Sequence, residues 1–157
     1  MNWKNLKQLV MTALRRAWLA MCTLGTVGFL WFWIVDGDNP LRSDDPYLVG
    51  LIFGMFAACL AIIYTATESI GRRVGWRRFQ DFAYPIVLAA WCLFLWGNSL
   101  RGGEAAAVLS VACVASLIVG ALTYPVCRFD VPRRLAVTVS CIAVVLLAMY
   151  CAACLIM

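Results

Sequence analysis

The chain reads YLVGLIFGMFAACLAIIYTAT at residues 47–67 and ESIGRRVGWRRFQD at residues 68–81. The first stretch is apolar on every side, and as a helix it is long enough to cross a hydrocarbon core of about 30 Å. The second stretch places four arginines directly after that helix, as is typical of a segment at a membrane surface. The two stretches together predict one transmembrane helix that ends at a charged boundary.

Four further apolar runs follow the same plan on either side of this one. They lie at residues 17–35, 82–97, 105–122 and 135–157. Of the 157 residues, 64% are hydrophobic and 13% are charged, whereas soluble domains are roughly 45–50% apolar and about 25% charged. The runs lack the alternation of apolar and polar residues that barrel strands show. Their backbone hydrogen bonds must therefore be made within helices. The sequence predicts an all-α, polytopic membrane helical bundle of five transmembrane helices, forming a single domain over residues 1–157 without a soluble domain.

The basic residues predict the orientation of this bundle. Of the thirteen Lys and Arg residues, eleven lie before the first run or in the second and fourth gaps: Lys4, Lys7, Arg15, Arg16, Arg72, Arg73, Arg77, Arg78, Arg128, Arg133 and Arg134. The first and third gaps hold only Arg42 and Arg101, and the first gap is acidic. The positive-inside rule then predicts a cytoplasmic N-terminus and an outer C-terminus. The third run is the shortest, but without it the basic fourth gap would lie outside.

Residues 1–16 form a basic segment ahead of the first apolar run. Trp3, Leu6, Val10 and Leu14 recur at helical spacing, which predicts either a short interfacial helix or the beginning of a long first helix. The run that follows has full membrane length and lacks a small-residue cleavage site, so we interpret it as an uncleaved anchor. A bacterial inner membrane fits this pattern best, with an organellar or other eukaryotic membrane as the alternative.

The apolar runs contain no Asp, Glu, Lys or Arg, and the chain has no His. Intramembrane ionisable residues usually mark proton-coupled transporters, and His is the commonest haem and transition-metal ligand. The acidic first gap (Asp36, Asp38, Asp44, Asp45) resembles a calcium loop only weakly, because Tyr47 stands where the bidentate Glu would be. We therefore predict no catalytic residue, no cofactor and no metal.

Eight cysteines are the remaining reactive groups. Most are expected to pack as small hydrophobes, but Cys151 and Cys154 have the spacing of a redox pair. They lie at the predicted outer end of the last run, where a helix C-terminus disfavours the thiolate.

Small residues spaced by four form faces in two runs and predict close helix packing. They are Gly50, Gly54 and Ala58 in the second run and Ala112, Ser116 and Gly120 in the fourth. The spacing fits packing within one chain and association between chains alike.

The basic inner edge predicts two kinds of contact, with anionic lipid headgroups and with a cytoplasmic protein partner. The residues concerned are Arg72, Arg73, Trp76, Arg77, Arg78, Arg133 and Arg134. Because their charge is explained by membrane asymmetry, we predict no nucleic-acid partner.

Three classes of function follow from these observations. The first is a small non-enzymatic inner-membrane subunit, scaffold or sensor that forms a homo-oligomer or joins other membrane subunits. The second is an oligomeric pore or facilitator for ions or small solutes, because hydroxyl rings can line a pore without charges; the candidate lining is Thr23, Thr26, Ser110, Ser116, Thr138 and Ser140. The third is a membrane thiol oxidoreductase that uses Cys151 and Cys154.

Overall fold

The structure is a computed structural model that describes residues 3–36, 45–76, 78–100, 102–103, 105–129 and 131–156, without the side chains of residues 36, 153 and 156. Five helices lie in these ranges: α1 (Trp3–Asp36), α2 (Asp45–Val74), α3 (Phe79–Ser99), α4 (Ala106–Arg128) and α5 (Arg133–Ile156). All five are long and apolar enough to cross a membrane. This confirms the prediction of an all-helical chain with five candidate spans. The predicted roles of Arg42, Asp38, Asp44, Arg77 and Arg101 fall outside the described residues.

The helices extend beyond the apolar runs that predicted them. α1 begins at Trp3 and continues without a break to Asp36, so residues 3–16 form the first turns of a long helix. α2 continues seven residues past the end of its apolar run to Val74. The extension is stabilised by an ion pair across one turn, between Glu68 and Arg72, of the kind that supports helices at this spacing. Gly75 then ends the helix in the left-handed region, with φ +79°.

α1 and α2 form the most extensive helix pair, and glycine makes their close approach possible. A Cβ atom at Gly50 would lie 2.8 Å from the carbonyl oxygen of Gly25, and one at Gly54 would lie 2.9 Å from that of Met21. Both distances are to backbone atoms, which cannot rotate away. Any side chain at these positions would push the two helices apart, so the two glycines set the distance between α1 and α2.

The other helices assemble around this pair. α3 packs on α4, and α2 contacts both of them, while α5 packs chiefly along α1. The buried core lies where α1 to α4 meet and includes Leu24, Leu60, Tyr64, Tyr84 and Val119. No described residue of α5 is buried. The bundle therefore consists of a four-helix body with a fifth helix on its surface.

Candidate functional site

Three tyrosines from three helices meet near one end of the bundle. The ring centres of Tyr64 (α2), Tyr84 (α3) and Tyr124 (α4) lie 5.8 Å from one another in all three pairs. Tyr64 and Tyr84 are each only 3% exposed. The Tyr84 hydroxyl donates a hydrogen bond to the backbone carbonyl of Gly120 at 2.8 Å. The two pairs that include Tyr64 are edge-to-face, an arrangement that stabilises helix contacts beyond the area it buries. We call these three residues the tyrosine cluster.

An ion pair flanks the tyrosine cluster on the side of α1. Nη1 of Arg16 lies 2.5 Å from Oε2 of Glu68 and 3.4 Å from the Thr65 hydroxyl. The Arg16 guanidinium also lies over the Tyr64 ring, 5.5 Å from its centre. The other carboxylate oxygen of Glu68 accepts a hydrogen bond from Arg72 at 2.5 Å. Both side chains of the Arg16–Glu68 pair are about one-fifth exposed, so a partly buried ion pair joins α1 to α2.

A second polar group flanks the cluster between α3 and α4. The Tyr124 hydroxyl donates to Oδ1 of Asp81 at 2.6 Å, and Nη1 of Arg128 lies 3.2 Å from the same oxygen. Arg128 also contacts the Tyr124 hydroxyl. Together the two ion pairs and the tyrosine cluster connect the first four helices at the end where α1 begins and α2 ends. We call this end of the bundle the basic end, because Arg72, Arg128 and Arg133 all lie there.

Sequence reasoning missed this polar group because its members are far apart in the chain. Arg16 and Glu68 are separated by 52 residues, and Asp81 and Arg128 by 47. Arg16, Glu68 and Asp81 directly flank apolar runs and Arg128 lies in the gap after the fourth run, so each resembles an ordinary loop charge. A usable signal did exist: Glu68 and Asp81 are acidic residues inside an arginine-rich segment. Such a residue is expected to have a cationic partner nearby.

The small-residue faces predicted from the sequence lie against neighbouring helices of the same chain. Gly50 and Gly54 contact α1, and Ala58 is half-buried. In α4 a Cβ atom at Gly120 would lie 2.7 Å from Cδ1 of Leu88 in α3. Ser116 is buried and accepts a hydrogen bond from Trp91 at 3.3 Å, and Ala112 is half-buried. Contacts inside one chain therefore use both faces, and a role between chains stays a prediction.

The predicted basic-edge residues lie on α2, on the turn before α3 and on α5. Arg72 and Arg73 are exposed in the last turn of α2, and Arg133 and Arg134 are exposed in the first turn of α5. Trp76 is half-exposed and packs against Phe79 and Phe82 with ring centres 5.6 and 5.5 Å away. Arg78 precedes α3 and is exposed. Arg77 lies outside the described residues.

The cysteines divide into buried and exposed groups. Cys22, Cys92, Cys113 and Cys127 are buried, whereas Cys59, Cys141, Cys151 and Cys154 are exposed. Cys92 and Cys113 face each other between α3 and α4, where Sγ of Cys113 lies 3.5 Å from the Cys92 carbonyl oxygen. The predicted redox pair, Cys151 and Cys154, lies in the last turns of α5. Among the residues that the structure describes, no group of three or more His, Cys, Asp or Glu could hold a metal ion.

Five of the six hydroxyls predicted to line a pore are engaged within their own helices, and the sixth, Ser116, accepts a hydrogen bond from Trp91. Thr23 donates to the Leu19 carbonyl at 2.6 Å and Thr26 to the Cys22 carbonyl at 2.7 Å. Ser110, Thr138 and Ser140 each donate to the carbonyl four residues earlier, at 2.8 to 3.0 Å. Such back-bonding removes the donor that a pore lining would offer to a solute.

α5 packs along α1, with an apolar groove between it and α1 and α2. Nε1 of Trp18 donates to the Ser140 hydroxyl at 3.0 Å, and the rings of Tyr47 and Tyr150 lie 5.1 Å apart. The groove has a volume of about 370 Å³. The Tyr47 hydroxyl oxygen is buried there and has no hydrogen-bond partner within the described part of the chain.

The architecture is that of an integral, multi-pass membrane protein, because each of its five helices can span a bilayer. Comparisons with known protein families, with curated proteins and with solved structures each found no match to the chain. Function must therefore be argued from the residues of this chain alone.

Proposed function

We propose that the protein is a non-enzymatic subunit or scaffold of a bacterial inner membrane, which associates with further copies of itself. In this proposal the N-terminus is cytoplasmic and the C-terminus lies outside. The basic end of the bundle then faces the cytoplasm, where it meets anionic headgroups and offers its arginines to a cytoplasmic protein. Association with other membrane subunits is the alternative arrangement.

The observation that carries the proposal is the position of α5. The other four helices each contribute buried residues, but no described residue of α5 is buried. Its contacts with the body are chiefly along α1. Because lipid supplies little drive for helix association, a helix must be held by packing and hydrogen bonds. Among the described residues α5 is packed less deeply than the other helices, and contacts with a second copy would supply further packing.

The interior of the body supports a structural role over a transport role. The tyrosine cluster and its two ion pairs fill the basic end with side chains that bond to one another. Thr23 of α1, Ser110 of α4 and Thr138 of α5 likewise donate to backbone carbonyls of their own helices. The four-helix body is therefore held together by bonds among its own side chains, which fits a structural role.

The mass of the intact complex tests the proposed association. In a mild detergent, the purified protein is expected to have the mass of two or more copies. An Ala148→Trp variant, which changes an exposed position of α5, is expected to shift the complex towards the monomer. Ala90→Trp makes the same change at an exposed position of α3 and is expected to leave the mass unchanged. A strict monomer without any co-purifying protein would contradict the proposal.

Reporter fusions test the proposed orientation. Alkaline phosphatase, which is active only outside the cytoplasm, is expected to be active when fused after Met157. A green fluorescent protein fused at the same position is expected to be dark after export through the general secretory route. The reverse pattern would place the C-terminus in the cytoplasm, which would require either an outer N-terminus with five crossings or an even number of crossings.

A further inference from the structure

A polar trough lies between the first turns of α1 and the last turns of α2. It has a volume of about 1300 Å³. Its lining from α1 falls within residues 4–12 and its lining from α2 within residues 65–73. Both segments extend past the apolar runs, so the trough lies where the hydrocarbon core gives way to headgroups. Neither segment alone indicates it, because the two come together only in the antiparallel α1–α2 pair.

The charge of the trough is positive. Lys4 and Lys7 line it from α1, and Arg72 and Arg73 line it from α2. The one acidic residue in the lining is Glu68. Its two oxygens already accept hydrogen bonds from Arg16 and Arg72, each at 2.5 Å. With one carboxylate against two lysines and two arginines, the lining has a net formal charge of +3, which an anion would complement.

The residue types in the trough fit a phosphate diester that carries acyl chains. Lysine acts as a compact point charge towards phosphate, and arginine offers paired donors that match two phosphate oxygens. Asn5 and Gln8 add neutral hydrogen-bonding groups, and Leu9 and Met11 add apolar surface. An acyl chain can follow this apolar surface towards the bilayer core, whereas a free phosphate would leave it unused.

We propose that this trough is a binding site for the phosphate headgroup of an anionic phospholipid, held by lysines of α1 and arginines of α2. The site is independent of the association through α5 proposed above, because α5 contributes no residue to the trough. Bound lipid would bridge the two helices at the end where the Arg16–Glu68 pair joins them.

Native mass spectrometry of the purified protein tests the site. Phosphatidylglycerol is expected to bind at low stoichiometry, and phosphatidylcholine with the same acyl chains is expected to bind much more weakly. A Lys4→Gln/Lys7→Gln variant is expected to lose about thirtyfold in affinity for phosphatidylglycerol, since each cation near anionic lipid contributes about 1 kcal/mol. An Arg72→Gln/Arg73→Gln variant removes the cations that α2 contributes to the same site, and its affinity for phosphatidylglycerol is expected to fall by a similar factor.

The matched control is Arg133→Gln/Arg134→Gln, which removes two charges at the start of α5, outside the trough. It is expected to change the affinity less than threefold. Equal losses in the control and in the lysine variant would overturn the proposal, because they would indicate general attraction to the basic end. Equal binding of phosphatidylcholine would overturn it, and so would binding of glycerol 3-phosphate as tight as that of the lipid.

Discussion

Replacing Gly54 by alanine is expected to destabilise the purified protein by about 1–3 kcal/mol, the usual cost of adding a methylene to a close-packed interior. The new Cβ atom would lie 2.9 Å from the Met21 carbonyl oxygen and 3.2 Å from Met21 Cγ. The first of these atoms belongs to the backbone of α1, so the contact can be relieved only by separating two helices along their length. Thermal unfolding in detergent, followed by circular dichroism or size exclusion, measures the effect.

Gly97 offers a matched control in the same chain. It lies near the end of α3, and a Cβ atom there meets nothing within 4 Å. Gly97→Ala is therefore expected to be neutral or to stabilise α3 by roughly 0.5–1 kcal/mol, because alanine loses less backbone entropy than glycine in a helix. The two substitutions should move the unfolding temperature in opposite directions. A stabilisation by Gly54→Ala as large as that by Gly97→Ala would contradict the close contact between α1 and α2 at Gly54.

Replacing Arg16 by glutamine is expected to cost about 2 kcal/mol of stability. Removing one partner of a fully buried ion pair costs about 3–5 kcal/mol, and exposed pairs contribute about 1 kcal/mol or less. The Arg16–Glu68 pair falls between these limits, since both side chains are about one-fifth exposed. The variant also loses the contact of the guanidinium with the Tyr64 ring. Chemical or thermal unfolding of the purified protein measures the loss.

Arg15→Gln is the control, because it removes the same charge from the neighbouring, exposed position of α1. Its effect on stability is expected to stay within about 0.5 kcal/mol, as for most surface substitutions. Both variants reduce the positive charge of the N-terminal segment equally, so any change in membrane orientation would be common to both. Equal destabilisation by the two substitutions would show that the ion pair with Glu68 does not contribute measurably to stability.

The five helices could be predicted because each apolar run is a local property of the chain. The helical spacing of residues 3–14 predicted the beginning of a long first helix as one of two alternatives, and α1 has that form. The extension of α2 was not predicted, since Glu68 and Arg72 resemble loop residues until their pairing across one turn is considered. Gly50 and Gly54 could be recognised as a packing face, but their partner Gly25 could not, because nothing local marks the register between two helices.

The two ion pairs and the tyrosine cluster at the basic end could not be predicted from local sequence patterns for the same reason. The contact between Arg16 and Glu68 depends on how far α1 slides along α2, and the tyrosine cluster depends on three helices at once. Such contacts are decided by side-chain shape over long sequence separations. The proposed phospholipid trough shares this origin, since its lysines and arginines are brought together by that same register.

The unequal lengths of the helices have a mechanical consequence. α1 has 34 residues and α2 has 30, which correspond to about 51 and 45 Å of helix, whereas the 21 residues of α3 span about 32 Å. The apolar runs of α1 and α2 match a hydrocarbon core of about 30 Å, so their excess length is the charged segments 3–16 and 68–74, which extend beyond that core. Because glycine contacts hold α1 and α2 at a fixed spacing, these two segments project together as one stiff rod. A load on the projecting segments would be passed to the α1–α2 contacts inside the bilayer, which makes the hairpin a lever.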